Sequence, residues 1–280
     1  MESSSIQVSS SGGVKRPYRL GIALSGGGAR GFAHAGALMA IEEAGLKPDV
    51  IAGVSAGSVI AVLYGAGVRP QEIPQLFSDA GFSNFAKVRI RKGGFFNPDR
   101  FCKFIMRRIE PLKMLEDLQL PVYLGVTDFD NVRPVEFHSG EIGPRMIASC
   151  SIPLVFPPVE IDGVHYVDGG LLRNHPAWII RDKCDYLIGV NCSPIPGKFE
   201  PADSIVNVAL RTYHIMLRAN QIKDMEVCDL SIETPELSRY KVFDLKNITT
   251  VFTSGYIHTR RALRQAGLWK TADTNPDTEK

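Results

Sequence analysis

Val50-Ile51-Ala52-Gly53-Val54-Ser55-Ala56-Gly57-Ser58-Val59-Ile60-Ala61-Val62-Leu63-Tyr64 is the stretch on which the fold turns. Its first five residues are apolar and rich in β-branching, the pattern of a strand buried on both faces, and from Ala56 onward small and apolar residues continue at helical density. Extended to Val68, the stretch is uncharged and long enough for a transmembrane helix. Gly53, Gly57, Gly65 and Gly67, with Ser55 and Ser58, divide it instead into a short strand over Val50–Val54 and a helix over Ala56–Tyr64. At their junction stands Gly53-Val54-Ser55-Ala56-Gly57, a G-x-S-x-G motif. A nucleophilic serine needs a sharp turn that leaves its hydroxyl uncovered, and flanking glycines remove Cβ clashes from such a turn. The competing reading of Ser55 is a plain N-cap for the helix that follows.

Working outward, Tyr18–Leu24 reads as a strand, and Phe32–Ala44 as a helix that ends at Gly45 before Pro48. Val122–Val126 and Tyr186–Val190 are continuous apolar runs of strand length. Between Val159 and Val167, Asp162-Gly163 separates two alternating segments, a hairpin signal. Further helices are predicted over Pro98–Ile109, Ala177–Lys183, Ile205–Gln221 and Tyr256–Gln265. Strands alternating with helices imply an α/β fold with a mainly parallel sheet. One domain over residues 18–269 is expected, with a polar arm at 1–17 and a polar tail at 270–280.

A second motif, Gly26-Gly27-Gly28-Ala29-Arg30-Gly31, also joins a strand to a helix. Successive glycines allow amide N–H groups to converge on an anion, and the helix N-terminus adds its dipole. In acyl transfer that anion is the former carbonyl oxygen. Arg30 either meets an anionic head group or bonds loop carbonyls. The same loop satisfies G-x-G-x-x-G through Gly26, Gly28 and Gly31, so a Rossmann-type dinucleotide-binding oxidoreductase is the rival from another class. That rival wants a carboxylate at the end of the second strand, where Val54-Ser55-Ala56 stands.

A third motif, Asp168-Gly169-Gly170, closes the second half of the hairpin. By itself it is a turn; beside a nucleophile and an anion nest it supplies the missing base. A carboxylate is a weak base toward a hydroxyl, so partial burial that raises the pKa of Asp168 would assist it. His34, His165 and His175 lie near motif positions and keep a Ser-His-Asp triad open as an alternative. Asp128-Phe129-Asp130-Asn131 reads as a polar turn after a strand rather than a calcium loop, because it lacks the glycine and distal glutamate.

Together these residues resemble the patatin-like phospholipases, in particular their bacterial branch. The resemblance rests on the glycine loop, on Gly53 to Gly57, on Ala148-Ser149-Cys150-Ser151-Ile152-Pro153 with Phe156-Pro157-Pro158, and on Asp168-Gly169-Gly170 with Asn174-His175-Pro176, in that order between about residues 20 and 190. It implies a three-layer α/β/α patatin-like fold and a Ser55–Asp168 dyad, with an oxyanion hole drawn from Gly26, Gly27, Gly28, Arg30 and Gly31. It also implies metal- and cofactor-independent hydrolysis of phospholipid, lysophospholipid or other lipid esters. A noncatalytic lipid-binding protein using the same pocket is the third class of reading.

Composition narrows the partners. A formal net charge of +2, from 32 basic and 30 acidic residues in 280, leaves no basic footprint for nucleic acid. Cys102, Cys150, Cys184, Cys192 and Cys228 are odd in number and lack C-x-x-C spacing, which favours reduced thiols. With no signal-peptide pattern in the first twenty residues, a cytoplasmic location is expected. A peripheral membrane contact is compatible with Arg89, Arg91, Lys92, Phe95 and Phe96, although Asn97-Pro98-Asp99 reads more simply as a helix start over packed aromatics. Oligomeric state is not encoded in any recognisable pattern.

Overall fold

A computed structural model of the chain describes residues 15–78, 98–194, 205–242 and 245–269. The basic-aromatic segment from Arg89 to Phe96, the tail from 270 and all but the last three residues of the arm lie outside them. Strands β1 (Tyr18–Leu24), β2 (Val50–Val54), β3 (Val122–Asp128), β7 (Cys184–Asn191) and β8 (Leu230–Glu233) form a parallel set in the order β3-β2-β1-β7-β8. On β3 the sheet turns mixed. β4 (Arg133–Phe137) and β6 (Val164–Asp168) pair with β3 antiparallel, and β5 (Val159–Ile161) pairs with β6 in the hairpin. Asp162 and Gly163 both adopt positive φ at its turn, as an Asp-Gly hairpin requires.

The helices are α1 (Phe32–Glu43), α2 (Ala56–Gly65), α3 (Ile73–Ser78), α4 (Pro98–Arg108), α5 (Ile142–Cys150), α6 (Ala177–Ile180), α7 (Ile205–Glu226) and α8 (Ile248–Gln265). Alternation along the strands decides which layer each residue faces. Ile22, Leu24, Ile51, Leu124, Ile188 and Val190 share one core with Leu38 and Ile41 of α1, Val62 and Leu63 of α2 and Val251 of α8. Their neighbours Ala23, Val50, Ala52, Tyr123 and Leu187 point the other way, onto Ala177, Ile179 and Ile180. The expected three layers follow. α8 starts at Ile248, eight residues before the expected Tyr256, and its Gly255 rests on the Ala33 carbonyl while Gly36 of α1 rests on that of Phe252. Contact with α1 thus carries the helix through Thr249, Thr250, Ser254 and Gly255, which weaken its own propensity. Among the described residues no helix is long and apolar enough to cross a membrane.

The register on β3 positions the site. Leu124 pairs with Gly53 of β2 and with Phe137 of β4, so β2 and β4 occupy opposite edges of β3. Val126 pairs with Val135 of β4 and with Asp168 of β6, so β6 shares the β2 edge. Val54 of β2 lies opposite Gly125, one residue before that Val126–Asp168 pair. The two strands therefore meet head to head, and the residues that end them, Ser55 and Asp168, converge.

Candidate active site

Ser55 follows the last residue of β2 with φ 53° and ψ −122°. For a residue with a Cβ this left-handed geometry costs about 1–3 kcal/mol and persists only where the surroundings impose it. Here they do. The Ser55 amide donates to Ser149 Oγ at 2.9 Å, and Ser149 Oγ donates to the Gly125 carbonyl at 2.8 Å, tying the turn to β3. The Ser55 carbonyl accepts from the amides of Ser58 and Val59 and from Cys150 Sγ at 3.3 Å. Ser55 thus stands at the N-cap of α2, yet its side chain makes no capping bond, so its hydroxyl is left for other work. Gly57 sits directly against the Leu24 and Ser25 carbonyls, where a Cβ would collide with backbone, and Gly53 is pressed in the same way on Gly57. Those contacts draw the start of α2 against the end of β1.

Asp168 is buried, only 2% exposed. Its Oδ1 accepts from the Gly170 amide at 2.8 Å, and Gly169 and Gly170 have no room for a side chain between Gly125, Leu217 and Asp168 itself. Burial pushes the carboxyl pKa up to about 6, against the opposing pull of the Ser55 hydroxyl, the Gly170 amide and the Tyr213 hydroxyl. Tyr213, from α7, is buried over the carboxylate beside Ile152 and Leu217. Its hydroxyl has no partner at full hydrogen-bond geometry among the described residues, and Asp168 is the charged group that acts on it.

The glycine loop lies beside them. Gly26 abuts Ser55 Cβ and the Asn174 side chain, and its amide is taken by the Asn174 carbonyl at 3.1 Å. The Ala29 amide is likewise taken, by Val242 at 2.6 Å. Gly27 and Gly28 between them are left as the loop's candidate donors to a ligand. Gly28 has φ 60° and lies against Val242, so it requires glycine. Gly31 packs on Ala56, joining the starts of α1 and α2. Arg30 is buried, with Nε donating to the Tyr240 carbonyl at 2.8 Å. It ties the loop to the C-terminal part of the chain, in line with the loop-carbonyl reading.

The three histidines lie elsewhere. His34 Nε2 is 2.8 Å from the Ser25 carbonyl, and burial lowers its pKa to about 4. Burial, and then neighbouring His34, lower His175 to about 3. His165 pairs with Asp130 at 3.1 Å near the start of β6. None is among the groups acting on Asp168. The Asp128–Asn131 segment is the polar turn expected, with Asp128 accepting from Asn131 and Arg133.

A cavity of about 230 Å³ opens over Ser55, walled by Gly28, Ala29, Phe32, Val59, Phe77, Phe101, Ile152, Phe156 and Val242. Apart from Ser55 and Ser151, the described side chains that line it are apolar or the Cys150 thiol. Sequence reasoning did not single out Ser149, Asn174 or Tyr213 by role. The first two stand in quoted motif blocks, whereas no local pattern marks a lone tyrosine on α7.

The profile of the patatin-like phospholipase family matches residues 22–180. A lysophospholipase of Aspergillus fumigatus is 33% identical over 166 residues, covering 55% of this chain and 10% of that protein. An uncharacterised NTE family protein of Mycobacterium bovis is 31% identical over 161 residues, 56% of this chain and 44% of its own length. The chain thus spans less than half the length of these relatives. VipD from Legionella pneumophila superposes with a TM-score of 0.57 at 15% identity, covering 89% of this chain and 67% of that one, which extends the likeness to the fold.

Proposed function

This chain belongs to the patatin-like phospholipase family, and from that premise we propose that it is a serine acyl hydrolase of lipid esters, with Ser55 as nucleophile and Asp168 as general base. The observation that carries the reading is a serine held in a strained turn, its hydroxyl making no capping bond and acting on a buried carboxylate of raised pKa, at the wall of an apolar cavity. An acyl chain lies in the cavity with its ester carbonyl at Ser55. Asp168 takes the hydroxyl proton as oxygen attacks the acyl carbon; with its pKa near 6 it is ionised at neutral pH yet less mismatched than an ordinary carboxylate. The Gly27 and Gly28 amides meet the negative carbonyl oxygen, each such donor lowering the barrier by about 3 kcal/mol. Collapse expels the alcohol, which takes the proton from Asp168 and leaves an acyl-Ser55 ester. Water then attacks that ester, its proton going to Asp168 and afterwards to Ser55 as the carboxylic acid departs.

The test is a panel of lysophospholipid, phospholipid and soluble acyl esters against wild type, Ser55→Ala and Asp168→Asn. Hydrolysis by wild type alone supports the proposal. A folded wild type inert toward every ester would favour lipid binding without catalysis.

A further inference from the structure

Two features carried by segments that line the cavity are unused by the chemistry above. Leu154 is 79% exposed and has φ 72°. It stands at the apex of a turn closed by the Val155 and Phe156 amides on the Ile152 carbonyl, at 3.1 and 2.9 Å, and both Ile152 and Phe156 line the cavity. A leucine there is doubly unfavourable, because glycine would relieve the backbone and a polar side chain would suit water. Pro98 and Phe101 of α4 line the same cavity, and Ile105 is buried. The outer positions of α4 are Arg100, Lys103, Arg107 and Arg108, all exposed, against Asp99 alone among acidic residues. This single helix is more positive than the whole chain.

We infer that this rim docks on an anionic lipid bilayer, with Leu154 entering the acyl layer and the basic face of α4 lying on the head groups. Charge complementarity selects an anionic partner, and an exposed apolar tip beside an apolar cavity selects one with an apolar interior, which a nucleic acid or an acidic protein surface lacks. Docked this way, the mouth of the cavity opens onto the layer from which an acyl chain would enter, so the inference rests on the acyl-ester reading of that cavity.

Co-sedimentation of the Ser55→Ala protein, which cannot consume the lipid, with phosphatidylcholine vesicles with and without phosphatidylglycerol tests it. Binding is expected to the anionic vesicles and to weaken as salt rises. Lys103→Glu with Arg107→Glu should weaken it at least about ten-fold. Leu154→Gly removes the tip while relieving the backbone, so its fold is preserved, and it should weaken binding about ten-fold. Equal binding to both vesicle types, binding to neither, or variants that bind like the parent overturn the inference. On a water-soluble ester, with Ser55 restored, these variants should keep the wild-type rate. Normal ester turnover without vesicle binding sinks the docking alone, whereas an inert wild type sinks the hydrolase reading itself.

Discussion

The carboxyl ends of β2 and β6 meet on one edge of β3, and each delivers one of the two proposed catalytic groups at a different kind of cost. β2 delivers a hydroxyl by straining the backbone: Ser55 has positive φ, held by Ser149 and by glycines packed on carbonyls. β6 delivers a carboxylate through relaxed backbone, φ −46° and ψ 127°, and the cost is electrostatic, a charge removed from water with few compensating donors. Strain fixes where an oxygen points; desolvation fixes how readily it takes a proton. A site that needs both a directed nucleophile and a tuned base has a reason to use one of each.

Substitutions can break this contrast, beginning with the largest effect. Ser55→Ala should lower kcat/KM about ten-thousand-fold or more while leaving the circular dichroism spectrum unchanged. Asp168→Asn should lose a similar order of activity yet gain stability. Because burial lifts the folded-state pKa above the ordinary aspartate value of 3.8, the native state holds its proton longer, and wild-type stability falls as pH rises from about 4 to about 6. Asparagine escapes that fall, so its advantage in urea unfolding should be absent near pH 3, grow through that window and level off at up to about 3 kcal/mol above pH 7. An advantage independent of pH would contradict the electrostatic half of the contrast.

Ser149→Ala attacks the other half. It strands the buried Ser55 amide and should cost about 1–3 kcal/mol of stability at every pH. The smallest effect sharpens the picture: the Tyr213 hydroxyl favours the charged form of Asp168, so Tyr213→Phe should move the acid limb of the kcat/KM profile upward from about pH 6, with only a few-fold change in rate at pH 8. A limb that does not move would show Tyr213 to be packing alone.

The same contrast explains what could be read in advance. Strain leaves marks in sequence, since Gly53, Gly57 and Gly28 are glycines because a neighbouring backbone fills the space of a Cβ. The strand-turn-helix units and the Asp162-Gly163 hairpin are local and were legible for that reason. Desolvation leaves no such mark. Tyr213 reaches Asp168 through the packing of α7, and the engaged amide of Gly26 depends on Asn174, almost 150 residues away. β4 escaped notice because Pro134 and an exposed first half hide an edge strand, and β8 because its four residues acquire strand character only beside β7. α5 carries Gly143-Pro144 in its first turn and is recognisable only through its contacts.

The most direct test of the convergence is mass spectrometry after treatment with a fluorophosphonate, comparing wild type with Ser55→Ala and Asp168→Asn. One adduct on Ser55 of wild type, none in the alanine variant and a much slower reaction in the asparagine variant is the predicted result. Labelling of Ser55 at an undiminished rate without the Asp168 carboxylate, or a folded wild type that is never labelled, would contradict it.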